Sequence, residues 1–173
     1  SGSKNKAYLR GEIAQGIFMN YKNIIDSIHP KLPFGIAQTG KAFRNEITAG
    51  KFTFRTLEFD LMEFEYFFDN NKDDWNELFE YWKSQIEEFV LSIGIKRESF
   101  RWRAHEEFEL SHYSSRTEDL EYIFPWGPKE LFAVAYRSDF DLKNHQEKSG
   151  KNLEFVYPDG SKKIPHVIEP TFG

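Results

Sequence analysis

The sequence predicts an α+β fold in which helices flank a mainly antiparallel β-sheet. Apolar residues recur at helical spacing in two segments, 14–28 and 75–93, whereas residues 57–68 alternate with the period of a strand. Hairpin-like connections join the strands, and the regular strand–helix–strand order of a parallel sheet is missing from the sequence. With 173 residues, 39% of them hydrophobic and 17% aromatic, the chain is expected to form one globular domain with a sizeable core.

The first predicted elements are a helix and an antiparallel pair of strands. The apolar spacing predicts a helix over residues 14–28, which Pro30 ends. Residues 34–47 predict a strand, and residues 57–68 predict its antiparallel partner. The connection 48–53 is longer than a tight hairpin turn requires, which indicates a mobile or functional loop.

The second half predicts a long helix followed by shorter elements. The polar segment 69–74 offers N-caps to a helix over residues 75–93, and Gly94 is suited to end it. Residues 106–114 predict a short helix. The remaining predictions are a strand over Leu120–Phe124, a helix or strand over Leu131–Tyr136, and a hairpin with arms Leu153–Tyr157 and Lys163–Ile168 around Pro158–Gly160.

Composition excludes several classes of protein. The absence of cysteine excludes disulfides and thiolate metal sites and fits a cytoplasmic location. No apolar run approaches the roughly 20 residues of a membrane span, so no membrane partner is expected. A net charge of −5 argues against a general nucleic-acid coat but leaves a local basic groove open. The five histidines lack metal-ligand spacing, and Ser1–Ser3 are expected to be an expression scar.

The predicted strand pair carries an unusual set of charged residues. Arg44 and Glu46 are two residues apart and are therefore expected on one face of the first strand. On the return strand, the even-numbered positions from Met62 to Phe68 predict a core face. The opposite face mixes aromatic, apolar and acidic side chains, namely Phe59, Leu61, Glu63 and Glu65. Such a face is expected to surround a ligand that carries both charge and an aromatic ring.

These residue types fit a site for a purine nucleotide and an amine. The planar fork of Arg44 matches phosphate oxygens, and Phe59 offers a face on which a purine can stack. Glu46 could accept a hydrogen bond from an exocyclic amine, while Glu12 and Glu63 could hold a cationic amine. The sequence has no glycine-rich phosphate loop and no serine in a nucleophile-elbow pattern. Positioning and electrostatic stabilisation of a phosphoryl centre are therefore expected, without a covalent nucleophile.

Several ordered segments resemble one enzyme family. Phe43–Glu46, together with Arg55 and Glu58–Phe59, resembles motif 2 of class II aminoacyl-tRNA synthetases. The resemblance runs from about Tyr8 to the last residue. Four flanking segments are similar to those of dimeric, single-polypeptide glycyl-tRNA synthetases: Tyr8–Gly16, Leu32–Gln38, Arg137–Leu142 and Val167–Gly173, the last of which resembles the start of motif 3.

This resemblance implies a fold, an activity and a set of site residues. It implies a class II catalytic-domain fold over residues 4–173 and activation of glycine by ATP and Mg²⁺, followed by transfer to tRNA(Gly) in a homodimeric, cytoplasmic parent. Arg44 is the implied catalytic residue, which would hold the α-phosphate and the glycine carboxylate. The implied ATP-binding residues are Arg44, Asn45, Glu46, Phe54, Arg55, Phe59, Glu130 and Leu131, with Glu130 also beside the metal. The implied glycine-binding residues are Glu12, Glu63, Glu169 and Thr171.

The resemblance further implies that the chain is part of a longer enzyme. It begins after motif 1, ends before the arginine of motif 3 and lacks an anticodon-binding domain, so impaired or absent activity is expected of the fragment itself. A non-catalytic, synthetase-like module that binds nucleotide or tRNA, or regulates, is the alternative. The sequence departs from the family pattern at Gly11, Ile13, Leu57, Ala133 and Thr171.

Structural explanations for single residues also stay open. Arg44 and Glu46 could form an ordinary exposed ion pair, and Phe59 could be a core residue. Glu63 and its neighbour on the same face, Glu65, could be solvated edge residues. The basic segment 101–103 could contact tRNA or could be a solvated strand.

Overall fold

A computed structural model describes residues 6–48, 50 and 54–172. In chain order, the elements are α1 (Ala14–Ile28), β1 (Phe34–Phe43), β2 (Glu58–Phe68), α2 (Trp75–Ser92), β3 (Phe100–Ala104), β4 (Arg116–Phe124), β5 (Gly127–Ser138), α3 (Phe140–Ser149), β6 (Phe155–Val156), β7 (Lys162–Lys163) and β8 (His166–Phe172).

Six strands form one antiparallel sheet in the order β1-β2-β8-β5-β4-β3. The last strand of the chain, β8, lies between β2 and β5 and thereby joins the N-terminal hairpin to the β3–β5 meander. Strands β6 and β7 form a separate small hairpin. The predicted α+β architecture with an antiparallel sheet and flanking helices is confirmed.

The two faces of the sheet pack against different helices. On one face, α2 covers a core that contains Phe68 and Ile168. On the other face, α1 covers a core that contains Phe67 and Val167, with Leu142 of α3 in the same cluster. Neighbouring residues of β2 and of β8 thus point to opposite faces, as strand geometry requires.

The helix α2 begins and ends where the sequence provides caps. The Asp74 side chain accepts a hydrogen bond of 2.7 Å from the Asn76 N–H and so caps the N-terminus of α2. Gly94, at φ +91°, follows the C-terminus of α2 in a conformation that favours glycine. The predicted helices 14–28 and 75–93 are therefore confirmed, the second to within one residue.

Two predicted elements differ from the structure, and one helix of the structure was not predicted. The first strand ends at Phe43 and not at residue 47, so Arg44 and Glu46 lie beyond it and share no strand face. Residues 106–114 form only a 3₁₀ turn over Glu107–Glu109, held by reciprocal capping between Glu106 and Glu109. The sequence also gives no amphipathic signal for α3, because only two of its residues are buried.

Other predictions are refined. The ambiguous segment 131–136 is a strand inside β5, and the predicted strand 120–124 starts earlier, at Arg116. The predicted hairpin around Pro158–Gly160 is present, although its arms are short and residues 166–168 belong to β8. Within the loop 48–53, residues 49 and 51–53 lie outside the described residues, as do residues 1–3.

The more buried face of β2 is the one that carries the acidic residues. Met62, Phe64 and Tyr66, predicted as core, are only half-buried against α2, whereas Glu63 and Glu65 are 3% and 0% exposed. Glu63 and Glu65 are therefore not solvated edge residues. None of the helices in the described ranges has the length and apolar character needed to cross a membrane.

Candidate active site

A cleft of about 680 Å³ lies between the β1–β2 connection and the tips of β4 and β5. It collects most of the residues predicted to bind ATP. The predicted residues that line it are Arg44, Glu46, Phe54, Arg55, Phe59, Glu130, Leu131 and Thr171. Asn45 is exposed and does not line the cleft, so its role stays a prediction.

Arg44 is held by its backbone and by one nitrogen of its side chain. Its N–H donates to the Leu57 carbonyl at 3.0 Å, and its Nε donates to the Gly11 carbonyl at 3.2 Å. The guanidinium carbon lies 5.2 Å from the centroid of the Phe59 ring, within cation–π distance. The terminal nitrogens of Arg44 have no hydrogen-bond partner in the described part of the chain, so they can bind an anion.

Arg55 and Glu46 face each other across the cleft. The Arg55 Nη1 lies 3.4 Å from the Glu46 Oε2, and the Arg55 side chain is more than half exposed. An exposed pair of this kind contributes little to stability, about 0–1 kcal/mol. Either side chain can therefore exchange its partner for a ligand at low cost.

Glu130 stands in the concave wall of the cleft. Its carboxylate is open to solvent and has no hydrogen-bond or ion-pair partner among the described residues. Partial desolvation by the cleft wall and repulsion from the nearby Asp119 carboxylate raise the pKa of Glu130, whereas attraction to Arg44 lowers it. Asp119 itself is paired with His105 at 2.8 Å and with Arg103 at 3.5 Å. Glu130 is thus the carboxylate of this wall that remains available to a cation.

A cluster of buried carboxylates around Arg137 adjoins the cleft. We call it the acidic pocket. It comprises Glu12, Glu63, Glu65, Asp141 and Glu169 in addition to Arg137. Of the carboxylates in the pocket, only Glu12 is more than a tenth exposed.

Arg137 is fully buried, and its donors are divided between two carboxylates. Its Nε and Nη2 donate to the two Asp141 oxygens at 2.7 and 2.9 Å, and its Nη1 donates to Glu169 at 2.6 Å. The guanidinium carbon also lies 3.8 Å from the centroid of the Tyr113 ring. Burial alone would lower the pKa of Arg137, but Glu169, Asp141 and Glu65 outweigh it and raise this pKa.

Three glutamates of the acidic pocket lie close together. Carboxylate oxygens of Glu63, Glu65 and Glu169 are all within 4.8 Å of one another. Burial and repulsion from Glu169 and Glu12 raise the pKa of Glu63 to about 7, although the Ile13 N–H donates to it at 3.1 Å. The burial of Glu169 raises its pKa despite the hydrogen bond from Arg137. The pocket therefore attracts cations.

The cleft and the acidic pocket meet across β2 and β8. Glu63 pairs directly with Thr171 in the antiparallel register, so both side chains are on one face of the sheet. Thr171 also lines the cleft. On its far side, the acidic pocket borders a second cavity of about 670 Å³, where the Gln15 amide bridges Glu12 and Asp141 at 3.0 and 3.2 Å.

The structure thus brings the predicted site residues together in two adjoining groups. The predicted glycine residues Glu12, Glu63 and Glu169 meet in the acidic pocket, with Thr171 at its border. Phe59 is half-buried beneath Arg44 and not a fully buried core residue. The sequence-based set lacks the pocket residues Arg137, Glu65 and Asp141. The signals for them were present, namely the segment 137–142 and the position of Glu65 on the Glu63 face.

Comparison with known proteins gives relatives over nearly the whole chain. The sequence is 51% identical to a glycine–tRNA ligase of Clostridium kluyveri, and 50% identical to one of Acetivibrio thermocellus, over 99% of this chain in each case. It is 51% identical to a glycine–tRNA ligase of Mesoplasma florum over 98% of the chain. No protein-family model matches the sequence.

The chain spans about 37% of the length of these curated relatives. About half of the residues are identical over almost the whole chain, which is far above chance. These relatives are all named glycine–tRNA ligase. The predicted resemblance is thereby confirmed: this chain corresponds to a part of a glycine–tRNA ligase.

Proposed function

We propose that this chain is the adenylate-forming part of a class II synthetase catalytic domain, in which the full-length protein activates glycine with ATP and transfers it to tRNA(Gly). The observation that carries the proposal is the junction of the two sites. A cleft with free arginine nitrogens meets a cation-attracting pocket at the Glu63–Thr171 pair. An α-amino acid and a nucleotide phosphate bound side by side would need this arrangement.

The cleft suits ATP. The terminal nitrogens of Arg44 can hold the α-phosphate, and Phe59 presents its ring to adenine. Glu46 can accept a hydrogen bond from the adenine amine once it separates from Arg55, and Arg55 can then reach the terminal phosphates. The weak, exposed pair between Glu46 and Arg55 makes this exchange inexpensive.

The acidic pocket suits the ammonium group of glycine. Glu12, Glu63 and Glu169 provide carboxylates around one small volume, and Thr171 adds a hydroxyl at its border. Glycine has no side chain to recognise, so selection must come from a pocket too small for larger amino acids. Dense packing of carboxylates around the buried Arg137 leaves little room for a side chain.

The proposed reaction needs no covalent intermediate on the protein. A glycine carboxylate oxygen forms a bond to the α-phosphorus, the bond from that phosphorus to the β-phosphate oxygen breaks, and pyrophosphate leaves. Arg44 stabilises the charge that develops on the α-phosphate oxygens. A terminal ribose hydroxyl of tRNA then attacks the glycyl carbonyl carbon, loses its proton, and displaces AMP.

Glu130 fits the role of a Mg²⁺ ligand in the nucleotide cleft. Its carboxylate is a hard oxygen donor, has no protein partner in the described ranges and opens into the cleft. Bound Mg²⁺ would neutralise charge on the ATP phosphates. The side chain of Glu130 would hold the ion near the terminal phosphates, and Arg55 would approach them from the opposite wall.

Glycine-dependent exchange of pyrophosphate into ATP tests the proposal in the full-length protein. We expect Arg44→Ala to lower exchange by at least about 100-fold, because a charge on the reacting phosphate is lost. Lys41→Ala removes a cation of β1, three residues before Arg44, without touching the cleft, since Lys41 pairs with Glu58 and Asp60. Its exchange rate should equal that of the wild type. Undiminished exchange in Arg44→Ala would overturn the assignment of Arg44.

One observation favours a non-catalytic, nucleotide-binding module as second candidate. Leu57 is 58% exposed beside the site at a position where the family has arginine, and it adds no charge to the cleft. ATP binding by the full-length protein with no glycine-dependent exchange would support this candidate. Exchange by the wild-type protein excludes it.

A further inference from the structure

Glu65 has the most unusual environment of all the carboxylates in the acidic pocket. It lies on β2 between Glu63 and Phe67 and is 0% exposed. Neither of its side-chain oxygens has a hydrogen-bond partner among the described residues. A buried ionised carboxylate normally accepts several hydrogen bonds, because the charge is otherwise costly to bury.

The charged groups around Glu65 do not compensate this charge. Oxygens of Glu63 and Glu169 lie within 4.8 Å of a Glu65 oxygen. The nearby cation, Arg137, donates hydrogen bonds from its Nε, Nη1 and Nη2 to Asp141 and Glu169, and not to Glu65. The other titratable groups that face the pocket are Glu12 on the segment before α1 and Tyr113 before β4.

The remaining carboxylates of the pocket each have a donor. Glu63 accepts from the Ile13 N–H, and Glu12 accepts from the Gln15 amide. Burial, with repulsion from Glu169, raises the pKa of Glu65 well above the usual value for glutamate. Among these acids, the neutral form therefore suits Glu65 best.

We propose that Glu65 carries a proton while the acidic pocket is empty and releases it to solvent when the glycine ammonium binds. The inference rests on the proposed function of this pocket. Glycine enters as the zwitterion, the O–H bond of the Glu65 carboxyl breaks, and the proton passes to the buffer. The resulting carboxylate pairs with the ammonium, so the positive charge of the ammonium balances the negative charge that Glu65 gains.

This exchange gives Glu65 a substrate-binding role that an ordinary buried acid does not have. In the empty pocket, the proton relieves repulsion among Glu63, Glu65 and Glu169. In the bound state, the ionised Glu65 adds attraction that only a cation can use. Glycine affinity should consequently rise with pH, about tenfold per pH unit while Glu65 is protonated in the free protein.

Calorimetry of glycine binding to the full-length protein tests the proton release. The titration is run at about pH 8 in two buffers with different ionisation enthalpies, and the difference in heat gives the number of protons released. At this pH Glu63 is mostly ionised, because its pKa is about 7, so it contributes little. We expect close to one proton per glycine. Binding without proton release would overturn the inference.

Two matched variants assign the proton to its carboxyl group. Glu65→Gln keeps the shape of the neutral acid but has no proton to lose, so glycine should bind more weakly, with near-zero proton release at about pH 8 and a flat pH profile above it, where Glu63 is already ionised. Glu12→Gln should also weaken binding, yet it should keep the release of about one proton. Equal release from both variants would exclude Glu65.

If Glu65→Gln fails to fold, measurements on the wild-type protein alone still test the proposed proton release. Above about pH 8, where Glu63 is mostly ionised, the glycine Kd of the wild-type protein should fall with pH as described, and the infrared C=O stretch of a protonated carboxyl should disappear when glycine binds. A Kd independent of pH, or an unchanged infrared band, overturns the inference. A full-length protein that binds no glycine at all would instead contradict the proposed function.

Discussion

At the scale of single residues, the unpaired carboxylates of the acidic pocket lower the stability of the folded protein. Arg137 is the only cation inside the pocket among the described residues, and it faces more carboxylates than it can pair. The cost appears at Glu63, because burial and repulsion from Glu169 and Glu12 raise its pKa to about 7. A site that must attract an ammonium group has to keep such carboxylates, because paired carboxylates would attract it less.

Glu63→Gln should therefore stabilise the protein in a pH-dependent way. The folded-state pKa of Glu63 is raised, so folding takes up a proton between about pH 4.5 and pH 7, and stability falls as the pH rises through this window. Above about pH 7 the variant should exceed the wild type by up to about 3 kcal/mol in free energy of unfolding, and near pH 4 the two should match. Urea unfolding at both pH values measures the difference.

The exposed Glu147→Gln serves as the control for this change of charge. It should leave the free energy of unfolding within about 0.5 kcal/mol at either pH. A Glu63→Gln protein that is less stable than the wild type at about pH 8 would contradict the repulsion described for the pocket.

At the scale of elements, the sequence predicts what local spacing encodes. The helices α1 and α2 follow from clean apolar periodicity, and the β6–β7 turn follows from Pro158–Gly160. Local spacing could not predict α3, which is polar. It also could not predict that β1 ends at Phe43, after which the Arg44 side chain donates a hydrogen bond to the Gly11 carbonyl. These features depend on contacts between residues distant in sequence, and local patterns do not contain them.

Asp69 joins two such elements, the end of β2 and the β6–β7 hairpin. It accepts hydrogen bonds from the Tyr157 hydroxyl and the Lys163 Nζ, both at 2.5 Å. Burial alone would raise the pKa of Asp69, but Lys163, Tyr157 and the Asn71 N–H outweigh it and lower this pKa to about 2. The stabilisation is therefore complete above about pH 4 and is lost as the pH falls through about 2.

Asp69→Asn should accordingly lower the free energy of unfolding by about 2 kcal/mol at pH 7, because the charge-assisted hydrogen bonds are lost. The difference from the wild type should shrink as the pH is lowered from about 4 towards 2. Asp26→Asn, which breaks the exposed Lys22–Asp26 pair, should cost no more than about 0.5 kcal/mol. If the loss in free energy of unfolding for Asp69→Asn stayed constant down to about pH 2.5, the contacts of Asp69 with Tyr157 and Lys163 would not depend on its charge.

At the scale of the whole molecule, the sheet separates the stabilising core from the candidate active site. The face covered by α2 carries an apolar core that includes Ile86, and the Lys83–Glu118 ion pair also joins α2 to the sheet. The opposite face carries the α1 core at one end and the acidic pocket and cleft along β2 and β8. The resemblance to class II synthetases predicted eight of the residues that line the cleft, whereas Arg137 and Glu65 became evident only when packing showed which charges are buried.

This division predicts different consequences for two matched truncations of the core. Ile86 is 1% exposed on the α2 face, and Leu61 is 5% exposed on the opposite face, where it lines the cleft. Each change to alanine should lower the free energy of unfolding by about 2–5 kcal/mol. Only Leu61→Ala should also raise the KM for ATP, because Leu61 lines the cleft in which we propose that ATP binds.

Pyrophosphate exchange and urea unfolding of both variants, in the full-length protein, compare the two faces. Exchange is measured well below the melting temperature, so that both variants are folded. Under these conditions Ile86→Ala should keep the kcat/KM of the wild type even though its stability is reduced, because Ile86 itself does not line the cleft. If folded Ile86→Ala lost as much kcat/KM as Leu61→Ala, the sheet would transmit strain from one face to the other, as close packing allows. Activity would then depend on the α2 core as well as on the cleft.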